Sequence, residues 1–114
     1  MLKIIGSIGL GAMGGSYAKH LLKNNYRVFG IDPDKDNSKS FTSLGGIILN
    51  NINDLISKSD VIILSLPTVP IFQEIIKEIE KCKSFLDPKV IIDMNTISLE
   101  DKLDAKNKLE KLNI

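Results

Sequence analysis

The chain is poor in the residues that carry most metal, redox and nucleic-acid chemistry. Its 114 residues include one cysteine, one histidine and no tryptophan, and Arg27 is the single arginine. With Cys82 alone, no intrachain disulfide can form and two-cysteine metal motifs are excluded. A lone thiol fits a reducing compartment such as the cytoplasm, and its place in a helical pattern marks it as a partly buried, inert side chain. His20 stands beside Lys19 on an amphipathic segment, where a surface position is expected rather than an acid–base role. An excess of either charge is missing too. Fifteen Lys and Arg against fourteen Asp and Glu leave a net charge of +1, so composition gives no attraction to nucleic acid or to an anionic membrane. No apolar run approaches the ~20 residues of a membrane-spanning helix. The run from Ile4 to Ala12 after Lys3 has some look of a signal peptide, but glycines interrupt it and no convincing small-residue cleavage site follows. What remains, 43% hydrophobic and 25% charged, is the composition of an ordinary globular protein, and the length is that of one domain.

Hydrophobic patterning then alternates between two kinds of segment. Leu2 to Ile8 is a short Ile-rich run with the length of a strand. Ala12 to Asn25 has helical spacing, with Met13, Tyr17 and Leu21 in register and Ala18 and Leu22 beside them. Arg27 to Ile31 reads as a second strand, Asp34 to Leu44 as a weak helix ended by Gly45-Gly46, and Ile47 to Leu49 as a third strand. A turn or two of helix follows from Asn53 or Asp54 to Lys58. Val61 to Leu66 is apolar at every position but Ser65, as suits a central parallel strand covered on both faces. Pro67 and Pro70 frame a turn before Val69 to Cys82, an amphipathic helix with Phe72, Ile75, Ile76 and Ile79 on one side. Val90 to Asp93 is a fifth strand. Ser98 with Asp101 resembles a capping box, and the charged helix it opens runs to about Lys111. The pattern predicts an α/β fold, a Rossmann-type doubly wound parallel sheet of about five strands, in the order 3-2-1-4-5.

The chemistry-bearing segment is Gly9-Leu10-Gly11-Ala12-Met13-Gly14. A bare G-x-G-x-x-G says little. Here it follows an apolar strand and opens an amphipathic helix, the context that dinucleotide binding needs. Gly9 serves the tight turn, Gly11 lets the backbone approach a pyrophosphate, and Gly14 lets helix and strand pack closely. The helix N-terminus offers N–H groups and the positive end of its dipole to phosphates. Asp32 ends the second strand, eighteen positions beyond Gly14, where an acid accepts from the ribose 2′-hydroxyl of NAD. A 2′-phosphate would meet that carboxylate, so NAD is favoured over NADP, although Lys35 and Lys39 leave NADP open.

With those residues in view, the chain resembles the β-hydroxyacid dehydrogenases, the group that includes 3-hydroxyisobutyrate dehydrogenase and 6-phosphogluconate dehydrogenase. Ile5 to Gly14 looks like the opening of that family. Ala18 with Leu21-Leu22-Lys23 fits its first helix, and Val61 to Pro67 its fourth strand and following loop. Ile92-Asp93-Met94-Asn95-Thr96-Ile97-Ser98 is similar to its D-x-S-T-I-S-P substrate motif, the most specific of these blocks. The resemblance implies that Gly9 to Gly14 and Asp32 hold the ADP half of the cofactor. It places Leu66 and Pro67 along the cofactor, Thr96 near the nicotinamide, and Asn95 and Thr96 at the substrate. Asn95 stands where the family usually has Ser, and Leu99 where it has Pro. The family's G-G motif, catalytic Lys and helical second domain match nothing between residues 1 and 114, so no residue here is assigned a catalytic role. Lys102, Lys106, Lys108 and Lys111 have the spacing of an exposed helix face. The expectation is one dinucleotide-binding domain that holds cofactor without turnover, and that works on a small hydroxyacid with a further domain, a separate catalytic chain or as a homo-oligomer.

Three other readings share some of these features. Gly14-Gly15-Ser16 resembles the prephenate dehydrogenase motif, which the Asn95-Thr96-Ile97-Ser98 segment fits less well. NAD(H)-sensing modules of potassium-transport regulators pair a glycine loop with an acid after the second strand, but usually carry a further acidic motif where this chain has Asn50-Asn51-Ile52-Asn53. Methyltransferases also place an acid after strand two, while the third glycine and the Leu66-Pro67 turn favour a dinucleotide.

Overall fold

Alternating β and α patterning folds into one layered sheet. The computed structural model describes residues 3–114, so Leu2, expected at the start of the first strand, lies outside the described residues. The elements run β1 (Ile4–Ile8), α1 (Ala12–Lys23), β2 (Arg27–Ile31), α2 (Lys35–Ser43), β3 (Ile47–Ile48), α3 (Ile52–Lys58), β4 (Val61–Leu64), α4 (Val69–Glu80), β5 (Val90–Asp93) and α5 (Leu99–Glu110). All strand pairs are parallel and the sheet order is β3-β2-β1-β4-β5, the doubly wound arrangement expected from the sequence. Ile8 pairs with Ile31 on one side and with Leu64 on the other, and Leu64 pairs with Asp93. The C-terminal ends of β1, β2, β4 and β5 therefore lie side by side. Between β1 and β4 the strand order reverses, which is where open α/β sheets bind ligands.

Strand periodicity divides the apolar side chains between two cores. On one face Ile5, Val28 and Leu10 pack with Ala18 of α1 and Phe41 of α2. On the other, Ile8, Phe29, Ile62 and Leu64 meet Leu55 and Ile56 of α3, Phe72, Ile76 and Ile79 of α4, and Ala105 and Leu109 of α5. β4 was expected to be covered on both faces. Ile62 and Leu64 are fully buried, but Val61 and Ile63 are only half covered. The reason is geometric: α1 and α2 cap the β1–β3 side, and the same face of β5 is open, with Val90 and Ile92 exposed.

Local chemistry sets the element ends. α1 stops two residues earlier than the spacing suggested, at Lys23, because Asn24 caps it and Asn25 takes φ +67°. Asp34 and Leu44 cap α2 rather than extend it. α3 begins at Ile52, one or two residues before expectation, because the Asn51 side chain accepts from the Asp54 N–H and so fixes the first turn. α4 ends at Glu80, not Cys82, and α5 runs from Leu99 to Glu110 behind its Ser98 cap. β3 closes at Ile48, one residue short of the expected Leu49. β4 closes at Leu64: Ser65 and Leu66, expected within the strand, leave it to form the floor of the site.

Candidate functional site

The site is a set of backbone turns at the C-terminal ends of the strands. At the β1–α1 turn, Gly9 has φ +98°, a conformation that glycine adopts without strain. A Cβ on Gly9 would collide with the Ser65 carbonyl, and one on Gly14 with the Gly9 carbonyl. These two glycines are thus set by the close packing of β1, α1 and the β4 exit. Gly11 differs. Its φ of −69° is ordinary, and among the described residues, its chain neighbours aside, no atom lies within 4 Å of where its Cβ would point. Space above Gly11, rather than strain beneath it, is what a bulkier residue would remove.

Gly11 is also the N-cap of α1, and it supplies no side-chain bond there. The other four helices are capped by side chains: Asp34, Asn51, Thr68 and Ser98 each accept a first-turn N–H. The first turn of α1 carries no acid. An uncapped helix start, with open space over its glycine, suits a phosphate group. The residues present therefore fit a dinucleotide pyrophosphate at this turn.

Asp32 sits beside that turn, half-buried, where β2 ends. Its Oδ2 accepts the Leu10 N–H at 2.8 Å and the Asn37 Nδ2 at 3.3 Å, and its Oδ1 accepts the Asp34 N–H at 2.8 Å. A carboxylate has about four lone-pair sites, so acceptor capacity remains for a ribose hydroxyl. Leu10 itself turns inward and is 3% exposed; it contributes its backbone to the loop, while its side chain fills the core. Ala12 and Met13 are exposed on the first turn of α1.

The β4 and β5 exits form the far side. Ser65 N–H donates to the Ile8 carbonyl at 3.0 Å, holding the β4 exit against the glycine turn. Leu66 is half-buried and Pro67 exposed. Leu66 N–H donates to Asn95 Oδ1 at 2.6 Å, which joins the β4 exit to the β5 exit. Thr96 lies exposed beyond Asn95. The structure thus gathers Gly9–Gly14 with Asp32, and Leu66 with Asn95, along one edge of the sheet. His20 is exposed on α1. The lysines of α5 and of its C-cap are engaged in ion pairs: Lys102 with Asp93, Lys106 with Glu110, Lys108 with Asp104 and Lys111 with Glu80.

Four contributors were not singled out from the sequence. Ser65 packs its backbone against Gly9, Ser7 donates its hydroxyl to the Gly9 carbonyl at 3.2 Å, and Asn37 holds Asp32. Asp93 binds Asn95. Only Asp93 carried a usable signal, as an acid closing an otherwise apolar strand at the ligand-binding end of the sheet.

Comparison with known proteins places the chain in a family. Residues 4–114 match the family model of the NAD binding domain of 6-phosphogluconate dehydrogenase. The chain is 33% identical over 112 residues to the 2-(hydroxymethyl)glutarate dehydrogenase of Eubacterium barkeri, covering 94% of this chain and 36% of that protein. It is 37% identical over 65 residues to a probable mitochondrial 3-hydroxyisobutyrate dehydrogenase of Dictyostelium discoideum, covering 57% and 20%. The structure superposes on a Mycobacterium tuberculosis 3-hydroxyisobutyrate dehydrogenase, solved with L-serine, at a TM-score of 0.85 and 23% identity, over 99% of this chain and 38% of that one. The chain thus spans between 20% and 36% of the length of these two curated relatives. Among the described residues no helix is long and apolar enough to cross a membrane.

Proposed function

Because the chain belongs to the family of the 6-phosphogluconate dehydrogenase NAD-binding domain, we propose that residues 1–114 are the cofactor-holding domain of a dehydrogenase for a small 3-hydroxyacid, working with NAD in the cytoplasm. The observation that carries this reading is the bond from the Leu10 N–H to Asp32 beside an uncapped α1. It ties the ribose-reading acid to the phosphate-binding turn. Gly9 to Gly14 would hold the pyrophosphate and Asp32 the adenosine ribose. Leu66 and Pro67 would flank the cofactor, and Asn95 and Thr96 would lie toward the nicotinamide and substrate. The curated relatives named above are dehydrogenases of hydroxyacids, which supports this substrate class.

When bound, nicotinamide supplies the acceptor for a hydride from the carbon that carries the substrate hydroxyl. The hydroxyl proton must move to a base as the hydride leaves. At the end of β5 the Asp93 carboxylate is engaged, with the Lys102 ammonium 3.3 Å away. In this reading proton transfer is supplied by a residue of a further domain, or of a second chain, closing over this one.

The test is a fluorescence titration of the purified chain with NADH and, separately, NADPH. Saturable binding that favours NADH and weakens at least about tenfold in Asp32→Ala is expected, an interaction of roughly 1.4 kcal/mol. Tighter NADPH binding would transfer ribose recognition to Lys35 or Lys39. No binding by a folded chain would reject the reading. With 3-hydroxyisobutyrate and NAD, no turnover by this chain is expected, and a robust rate would overturn the division of labour.

A further inference from the structure

β4 and β5 run in register up to Leu64 and Asp93, and the Met94 N–H donates to the Leu64 carbonyl at 3.0 Å. Past that point a side chain takes over the work of the sheet. Asn95 Oδ1 accepts the Leu66 N–H at 2.6 Å, Asn95 Nδ2 donates to Asp93 Oδ1 at 2.5 Å, and the Asn95 N–H donates to the same oxygen at 3.0 Å. Asp93 Oδ2 is buried without a hydrogen bond and lies 3.3 Å from the Lys102 ammonium. A continuous polar chain therefore runs from α5 through Asp93 and Asn95 to the turn after β4.

Chemistry fixes the orientation of the amide. A backbone N–H faces one side of Asn95 and a carboxylate the other, so its oxygen must meet Leu66 and its nitrogen Asp93. Both ends are engaged within the protein, and Asn95 is half-buried. This is not the disposition of a side chain held out for a substrate. We propose that Asn95 is a positioning residue, which fixes the Leu66–Pro67 turn against the glycine loop and so shapes the cofactor side of the site. The inference rests on the cofactor-domain reading above. It assigns Asn95 a task toward the cofactor before any toward the hydroxyacid.

The requirement is for an acceptor toward Leu66 and a donor toward Asp93 in one group. Leucine at this position keeps the approximate shape and supplies neither. Aspartate supplies the acceptor but sets a second carboxylate against Asp93. Two such groups share a proton at low pH and repel when both ionise. The charged groups facing them are Lys102 and Lys106 of α5, which line the same cavity as Asp93. Lys102 moderates the repulsion without removing it, because it already serves Asp93.

The experiment compares wild type with Asn95→Leu, Asn95→Asp and Asn95→Ser. It reads NADH affinity, hydrogen exchange at the Leu66 amide without cofactor, and the thermal midpoint. In Asn95→Leu, Leu66 exchange should quicken and NADH affinity fall, each by about tenfold, the scale of one lost hydrogen bond. Exchange at the Ile62 and Leu64 amides should stay unchanged. Asn95→Asp should bind NADH more weakly than wild type, and more weakly still as pH rises and the two carboxyls lose the proton they share. Asn95→Ser, whose hydroxyl both donates and accepts, should recover part of the affinity. Unchanged NADH affinity in Asn95→Leu would overturn the proposal, whatever Leu66 exchange does. So would loss explained by global unfolding, with core exchange rising in step. A wild-type chain that binds no NADH overturns the underlying reading instead, and is told apart because Leu66 exchange is measured without cofactor.

Discussion

The Leu10 N–H and the Asp32 carboxylate meet at 2.8 Å, so the acid assigned to ribose recognition also holds the glycine loop in place. The two tasks are separable by mutation. Asp32→Asn keeps an oxygen for the Leu10 N–H but removes the charge. Its amide NH2 then faces the Asp34 N–H, so it should lose about 1 kcal/mol, less than Asp32→Ala, while its preference for NADH over NADPH should shrink, because a 2′-phosphate no longer meets a carboxylate. Asp32→Ala leaves the Leu10 and Asp34 N–H groups without their acceptor and should cost about 1–3 kcal/mol of folding stability in urea unfolding, besides weakening NADH. An unchanged NADH to NADPH ratio in Asp32→Asn would show that the charge does not set the preference.

The glycines of one motif should fail in different ways. Gly9→Ala puts a methyl against the Ser65 carbonyl at a left-handed φ and should destabilise the fold by about 2 kcal/mol or more. Gly11→Ala meets no atom and has ordinary backbone angles. It should cost only about 0.5 kcal/mol, as a poorer N-cap, yet reduce NADH affinity at least about tenfold by occupying the space above α1. Thermal melts and titrations on the same two variants check this. A Gly11→Ala chain that binds as wild type would mean that the pyrophosphate does not lie over Gly11.

These contrasts mark how far the sequence could be read. The alternation of elements and the position of the glycine turn follow from periodicity and local turn chemistry, and the sheet order from the right-handed crossovers that such alternation imposes. Asp32 was legible for the same reason, since it lies at a fixed distance beyond the motif. Its bond to Leu10 was not, because the pairing spans twenty-two residues and depends on β1 and β2 ending together. Asn95 could be placed at the site by resemblance, but its oxygen meets Leu66, twenty-nine residues earlier in the chain. That contact arises only when β4 and β5 exit side by side. The shorter β4 has the same origin: Ser65 N–H still bonds Ile8 at the end of β1, but the Leu66 N–H goes to the Asn95 side chain rather than to a neighbouring strand.

Cys82 follows from local environment. Burial first, and then the Glu78 carboxylate, push its thiol above the ordinary value, and its Sγ rests 3.8 Å from the Glu78 carbonyl. A raised thiol value means less thiolate at about pH 8, and the thiolate is the reactive form. Alkylation of the folded chain should therefore be several-fold slower than that of the unfolded chain, with the lag shrinking as pH rises. Glu78→Gln should quicken it modestly, since burial remains. Equal rates for folded and unfolded chains, followed by mass spectrometry, would contradict this.

The outer edge of β5 carries the last prediction. β5 pairs with β4 through Val61–Val90 to Leu64–Asp93, and no strand pairs with its other side among the described residues. Val90, Ile92 and Met94 are 54%, 44% and 38% exposed, so unpaired backbone groups and apolar side chains lie together along one edge. Such an edge is a template for pairing with another chain. The 114-residue protein should self-associate as its concentration rises, visible as earlier elution in size-exclusion chromatography and a growing mass in light scattering. Ile92→Lys places a charge on that edge and should suppress association while changing stability by no more than about 1 kcal/mol, because the side chain is already half in water. Pairing through the edge requires both effects together: association in wild type and its loss in the variant. A wild-type chain that stays monomeric at every concentration would refute the prediction. Association that Ile92→Lys leaves untouched would move the contact to another surface.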